Sequence, residues 1–347
     1  MTIMADNAKT PILVTLGMFI LDEFEFLTED GEPTGKTIPT QIGGGGTYAA
    51  IGARVWLQAH EIGMVVDRGF DFPSDIQSRL LEYGPEMWFF REQANGGGTT
   101  RALNSYRGEQ RGFRYLTPRT RITPRDLEGT RLEKPEFLHF ICSPSRALAI
   151  MSEVQSIQGW NPTTIYEPIP DRCVPEELPS LVKVLPSISI LSPNAEEALS
   201  LLSLPQPPSK QSIEQAAQRF LDLGVGVNGK GAVIVRSGAM GSFVKTHDAG
   251  GLWIDAFWTG TESKVVDVTG AGNSFLGGLA AGLKLTGGDV YEATLYASVS
   301  ASFTIEQQSL PLLNNAQISE WNGDSPERRL GDLKRRVGSI PHYVYAQ

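Results

Sequence analysis

Short apolar runs alternate with segments of helical spacing along most of the chain. Ile12–Gly17, Ile62–Val66, Phe137–Ile141, Thr163–Tyr166, Ile188–Leu191 and Ala232–Arg236 have the length and composition of buried strands. Between them, Tyr48–Leu57, Arg146–Gln158, Glu176–Val184, Asn194–Leu202 and Ser212–Leu223 read as helices. This β-α-β-α order predicts an α/β protein with a mostly parallel sheet and helices on both faces. No internal repeat or linker interrupts it, so one domain over residues 1–347 is expected.

Two regions break the rhythm. Glu23–Ile42 is polar, with turn signals at Glu29–Gly31 and Pro33, and Gly96–Leu116 alternates like antiparallel strands around a turn at Arg107–Gly108. Together they predict a small β-lid over one end of the sheet, near residues 23–42 and 96–116. The stretch Asp324–Val337 carries dense mixed charge and reads as a solvated terminal helix within a charged tail near 324–347.

The formal net charge of −9 argues against nucleic acid or an anionic membrane as a partner, since both reward a basic surface. Cys142 and Cys173 are too few for a disulfide scaffold and suit a reducing compartment. The apolar run Ile12–Leu21 is about half the ~20 residues of a membrane span, and no basic segment with a small-residue cleavage site precedes it. A cytoplasmic protein is the expectation. His60, His139, His247 and His342 show no ligand spacing with the cysteines, so a His/Cys metal centre is not expected.

The segment Lys264–Leu285 carries the chemistry. Val265 and Val266 read as a short strand that enters the small-residue turn Gly270-Ala271-Gly272, followed by a helix with Phe275, Leu276, Leu279 and Leu283 on its core face. The free amides at the start of that helix form an anion hole of the kind that stabilises a phosphate gaining charge. A turn chosen only for tight packing is the other reading. Gly17 stands alone after the first strand, which disfavours a dinucleotide fold, and the spacing in Gly31–Thr37 is one residue short of a P-loop.

Asp267-Val268-Thr269-Gly270-Ala271-Gly272-Asn273 resembles the C-terminal signature D-T-x-G-A-G-D of the ribokinase (PfkB) family of carbohydrate and nucleoside kinases. Further matches come in the family's order: Gly17 with Asp22, then Gly43-Gly44-Gly45-Gly46-Thr47, then Asn194 with Glu197, then Arg236-Ser237-Gly238 with Gly241. The GGGGTY form is similar to that of a divergent, fungal subgroup. The resemblance implies a ribokinase-like three-layer α/β/α sandwich with a β-lid, and phosphoryl transfer from ATP to a substrate hydroxyl. It implies that Asp22 and the glycines at 43–46 with Thr47 meet a small-molecule substrate. Asn194 and Glu197 would position phosphates and the water shell of Mg²⁺; Arg236, Ser237, Gly238 and Gly241 would line the nucleotide site. Asp267 and Thr269 match positions of a monovalent-cation (K⁺) site, and a homodimer through the lid is the expected assembly. A plain N-cap with a capping-box Glu also fits Asn194 and Glu197, and a strand-end turn residue fits Asp22.

The signature departs at its last residue. The family's catalytic base is an Asp; here it is Asn273, which cannot accept a proton. Ile20, Thr47, Cys142, Glu167 and Arg236 also replace common family residues, Cys142 standing where ribokinase has a substrate-contacting Glu. Three readings stay open: a slow kinase on a sugar-like or nucleoside-like substrate, a pseudokinase that binds ligand without transfer, and different chemistry in an inherited pocket. Asp22 is a candidate substitute base.

Overall fold

The computed structural model describes residues 10–338, except 94, 95, 109, 261 and 318. The first half of the chain runs β1 (Leu13–Thr15), β2 (Ile20–Leu27), β3 (Gln41–Gly43), α1 (Gly45–Arg54), β4 (Ile62–Arg68), α2 (Ser74–Glu82), β5 (Trp88–Glu92), β6 (Arg101–Arg107), β7 (Gln110–Tyr115), β8 (Phe137–Cys142) and α3 (Pro144–Ser156). It continues through β9 (Thr163–Pro168), α4 (Leu178–Val184), β10 (Ile190–Leu191), α5 (Ala195–Leu201), α6 (Lys210–Asp222), β11 (Ala232–Arg236), β12 (Ser242–Thr246) and β13 (Gly250–Ile254). The last elements are α7 (Ala271–Leu285), α8 (Val290–Thr304), β14 (Leu313–Asn315), β15 (Glu320–Trp321) and α9 (Pro326–Val337).

The main sheet has the order β13-β12-β11-β10-β9-β8-β1-β4-β5. It is parallel from β11 to β5, and the β12–β13 hairpin adds two antiparallel strands at one edge. Strands buried on both faces need near-continuous apolar sequence, which is why β1 and β11 read as apolar runs and β8 as one interrupted only by the buried His139. One core lies between the sheet and α1, α2, α7, α8 and α9, and a second lies between the sheet and α3 to α6. The result is the expected three-layer sandwich.

Two helices of the first layer touch through backbone. A Cβ on Gly277 would collide with the Ala49 carbonyl oxygen, and one on Gly52 with that of Ser274. Small residues therefore fix how closely α1 and α7 approach, and both helices start at the same end of the sheet.

The lid is a second sheet, β3-β2-β6-β7, with the β6–β7 turn where the alternation places it. Its first segment begins earlier than expected: β2 starts at Ile20, with Glu23 and Glu25 on one face of a half-exposed strand and the buried Asp22 on the other, rather than in a loop. Three further expectations are corrected. Val265 and Val266 form no strand; they are exposed, and the Val266 and Asp267 amides both donate to the single Ile305 carbonyl. The β-branched pair lacks a partner strand, so propensity alone does not extend it. The first apolar run pairs only over Leu13–Thr15, because Gly17 breaks away to pack on Gly46. The charged terminal helix α9 is not merely solvated: Leu330 and Leu333 are buried, and Arg329 lies 3.7 Å from the Phe303 ring centroid while pairing with Glu306 and Asp324 at 2.6 and 2.7 Å. Residues 339–347 of the expected tail lie outside the described residues. Helix α8 and the β12–β13 hairpin carry no signal that the apolar runs alone disclose.

Candidate active site

In an open α/β sheet the loops leaving the carboxyl ends of parallel strands converge on one edge. Here that edge collects Gly17 after β1, Cys142 at the end of β8, Glu167 in β9, Ser192 after β10 and Arg236 at the end of β11. Helices α1 and α7 begin over the same edge, so two positive helix ends face it. Between this edge and the lid lies a cleft of about 740 Å³ whose walls include Asp22, Gly44, Gly45, Thr269, Gly270 and Asn273.

The start of α7 departs in one respect from the anion hole expected of it: the Ala271 amide is not free, because it donates to the Val268 carbonyl at 3.2 Å and closes the turn. Gly270 is its N-cap in the left-handed conformation at φ 76°, with the Tyr48 ring packed where a Cβ would stand. The Asp267 carboxylate accepts a hydrogen bond from the Thr269 amide at 2.9 Å and so shapes the turn. A Cβ on Gly272 would collide with Nη1 of Arg236, so this glycine admits the guanidinium to the first turn of the helix.

Arg236 is the centre of a buried charge network. It is 2.8 Å from Glu167 Oε1 and 3.8 Å from Glu197 Oε2, and it donates to the Ser192 carbonyl at 3.0 Å. Its Nε is buried without a hydrogen-bond partner among the described residues. Asn273 donates its amide to Glu167 Oε2 at 2.7 Å, and Glu167 is 7% exposed. His139, held at Nδ1 by Thr15 Oγ1 at 3.0 Å, lies 3.8 Å from the same Glu167 oxygen, and among the described residues its Nε2 has no hydrogen-bond partner.

One guanidinium thus serves two carboxylates, and distance decides between them. Burial opposes the charge of Glu167, but Arg236 at contact distance, with Asn273 and His139 beside it, holds its pKa below the ordinary value. Burial pushes Glu197 up to about 7, because Arg236 is too far away to compensate and Glu167 adds repulsion. Glu197 also closes a capping box: Asn194 Oδ1 accepts from the Glu197 amide, and Glu197 Oε2 from the Asn194 amide, both at 2.8 Å. The capping function of this pair is real.

The remaining expected positions separate into those on the cleft and those beyond it. Asp22 packs against Gly43, which has no room for a Cβ, and Asp22 is 9% exposed. Gly44 and Gly45 form the cleft wall, whereas Gly43, Gly46 and Thr47 lie behind it; Thr47 Oγ1 donates to the Gly43 carbonyl at 2.8 Å and closes the first turn of α1. Asn194, Glu197, Ser237, Gly238 and Gly241 are not on the cleft wall. Ser237–Gly241 instead forms the β11–β12 turn, closed by the Ser237 amide donating to the Gly241 carbonyl at 2.7 Å. Arg236 is what connects the two groups. Cys142 is on the cleft wall, but burial pushes its thiol up to about 12, so it is no nucleophile near neutral pH. The cooperation of Glu167, Arg236 and Asn273 is absent from the sequence reading; the residues stand out one by one as substitutions, and only the fold brings β9, β11 and α7 together.

Among the described residues no group of three or more His, Cys, Asp or Glu forms a metal cage. Nor is any helix among them long and apolar enough to cross a membrane. A metal at this edge therefore needs ligands from water or phosphate as well as protein.

A family model described as pfkB family carbohydrate kinase matches residues 16–314. An uncharacterized protein of Schizosaccharomyces pombe is 33% identical over 352 residues, covering 96% of this chain and 95% of its own. Protein MAK32 of Saccharomyces cerevisiae is 34% identical over 342 residues, covering 92% and 91%. Among solved structures, Arabidopsis thaliana ribokinase complexed with ribose and ATP superimposes with a TM-score of 0.67 at 20% identity, covering 93% of this chain and 99% of that one.

Proposed function

The chain belongs to the pfkB family of carbohydrate kinases, and on that premise we propose that it transfers the γ-phosphoryl group of ATP to a hydroxyl of a small sugar-like or nucleoside-like substrate. The observation that carries this reading is the Arg236 guanidinium against Gly272 at the positive end of α7, next to Asn273. Phosphoryl transfer has a loose transition state that asks for in-line positioning and charge stabilisation more than for activation of the nucleophile. A guanidinium joined to a helix N-terminus supplies that charge stabilisation in a site shielded from water. The absent base, worth ~10²–10⁴-fold, makes the enzyme slow without changing the reaction.

In this reading Asp22 accepts hydrogen bonds from substrate hydroxyls, and Gly44 and Gly45 let the substrate lie against backbone. Asn273 holds the attacking hydroxyl through its amide, oriented by Glu167. The amides of Gly270 and Gly272 with Arg236 meet the transferring phosphate. Asn194, Ser237, Gly238 and Gly241 lie on the nucleotide side. Mg²⁺ keeps several waters and binds few protein carboxylates, so Glu197, reached through water, fits it; bound, it neutralises phosphate charge. Asp267 and Thr269 are the residues for K⁺, and the exposed Phe113 and Leu116 of the lid support pairing of two chains there.

A second reading, a protein that binds the same ligands without transfer, is favoured by one observation: the Asn273 amide is committed to Glu167, so no carboxylate occupies the base position. Single-turnover transfer from labelled ATP with Mg²⁺ and K⁺, across sugars and nucleosides, separates the two. Transfer by the wild type that Asp22→Ala abolishes establishes the kinase. ATP binding without any transfer establishes the binding protein. Absence of both binding and transfer overturns the proposal.

A further inference from the structure

The outer end of the cleft opens into a neighbouring hollow of about 480 Å³. The two share Arg119, Arg121, Ser143, Arg146, Ile169 and Asp171 in their walls, so they form one continuous space that reaches from Asn273 and Asp22 to the arginines. In a chain of net charge −9 this concentration of guanidinium groups is opposite in sign to the molecule as a whole.

Arg172, also in the hollow, is 3.5 Å from Glu177. Arg119, Arg121 and Arg146 form no ion pair among the described residues. Two of the three are held in place by uncharged groups. Arg119 stacks 4.7 Å from the Tyr115 ring centroid, and Arg146 donates to the Ile122 carbonyl at 3.0 Å. Burial lowers the Arg146 pKa, and Arg121 adds like-charge repulsion. Arg146 also lies in the first turn of α3, whose N-cap is Ser143, so the positive end of a thirteen-residue helix faces the same space. Asp171 is the single carboxylate shared by both walls. Guanidinium groups gathered at like-charge cost, preorganised and without carboxylate partners, call for a ligand that carries its own negative charge.

We propose that the substrate bears a phosphate monoester at the end remote from the reacting hydroxyl, and that Arg119, Arg121 and Arg146 bind this group. The orientation rests on the kinase reading, which puts the hydroxyl at Asp22 and Asn273. A dianion with three terminal oxygens matches three forked donors, where a neutral sugar would leave all three cations unneutralised.

Titration calorimetry with glucose 6-phosphate, fructose 6-phosphate, ribose 5-phosphate, the same three sugars unphosphorylated, glucuronate and inorganic phosphate tests it, alongside calorimetry with ATP·Mg²⁺. Expected is binding of at least one sugar phosphate, with its free sugar bound at least 100-fold more weakly. Arg121→Gln and Arg146→Gln each lose about 10- to 100-fold of that affinity, the range of a charge-assisted hydrogen bond. Arg121→Lys retains part of it. Melting temperatures confirm that the variants are folded. Equal affinity for the sugar and its phosphate, tighter binding of glucuronate than of any phosphate ester, or affinity unchanged in both Gln variants overturns the proposal. Arginine-dependent binding of a sugar phosphate without ATP binding keeps the subsite and removes the kinase reading. ATP binding with transfer only to uncharged sugars keeps the kinase and removes the subsite.

Discussion

Restoring the family's aspartate by Asn273→Asp is the obvious way to seek activity, and the structure says that it will fail alone. The Asn273 amide nitrogen is 2.7 Å from Glu167 Oε2. An aspartate there sets two carboxylate oxygens at that distance, a repulsion of about 6 kcal/mol at an effective dielectric of about 20. Protonating one carboxyl at pH 7 costs about 4 kcal/mol, from an ordinary pKa of about 4.3. That is cheaper, so the pair holds one proton and the new residue is no free base. The destabilisation is then about 4 kcal/mol at pH 7 and about 1 kcal/mol at pH 5. The sign follows from a folded-state pKa raised above the unfolded one: stability is greatest at low pH and is lost as pH rises from about 4.3 towards the raised value. Glu167→Gln together with Asn273→Asp inverts the hydrogen bond, the Gln amide donating to the Asp, and keeps one negative charge near Arg236. Urea unfolding of the two single variants and the double variant, at pH 5 and pH 8, gives the coupling energy. We expect about 5 kcal/mol at pH 8, the cost of the shared proton at that pH, and any gain in transfer rate confined to the double variant. A single Asn273→Asp variant as stable as the wild type at both pH values would refute the contact on which this reasoning stands.

Three other changes test neighbouring parts. Arg236→Met lowers transfer by about 10²–10³-fold and, by leaving Glu167 buried without its cation, costs about 3 kcal/mol of stability; adding Glu167→Gln restores stability in urea unfolding but not the rate. Glu197, raised to about 7, favours the folded state at low pH, and that contribution is lost as pH rises from 4.5 to 7. Glu197→Gln keeps an acceptor for the Asn194 amide and removes that slope, so its urea midpoint gains on the wild type between pH 5 and pH 8. Gly277→Ala, which in an exposed helix would gain about 1 kcal/mol, here drives a Cβ into the Ala49 carbonyl and lowers the unfolding free energy by about 2 kcal/mol or more.

Much of the fold was legible because parallel strands announce themselves. Ala232–Val235 is buried on both faces and reads as an unbroken apolar run, and Phe137–Cys142 as one interrupted only by the buried His139. The β6–β7 hairpin was legible for the opposite reason, since one face of the lid is wet and its sequence alternates. Val265 and Val266 misled because β-branched residues signal a strand only where a neighbour supplies hydrogen bonds. Helix α8 escaped because it is apolar on nearly every side, with Val290, Tyr291, Leu295, Val299 and Phe303 all buried, so no amphipathic period marks it. At the site, Asn194 and Glu197 could be read as a capping pair because both partners lie three residues apart. Glu167 and Asn273 are 106 residues apart, and their contact depends on the packing of β9 against α7, which no local pattern encodes.

The direct backbone contact between α1 and α7 makes the cleft edge of the sheet a fixed ruler. Gly45 begins one helix and Gly270 caps the other, and the distance between them is set where Gly52 and Gly277 let main chain meet main chain. No pocket side chain takes part in that measurement. Exchanging Asn273, Glu167, Arg236 or Cys142 therefore leaves unaltered where the two helix starts fall. Specificity and geometry are inherited on separate ledgers, so reprogramming this pocket for a new ligand means rewriting its walls and leaving four glycines alone.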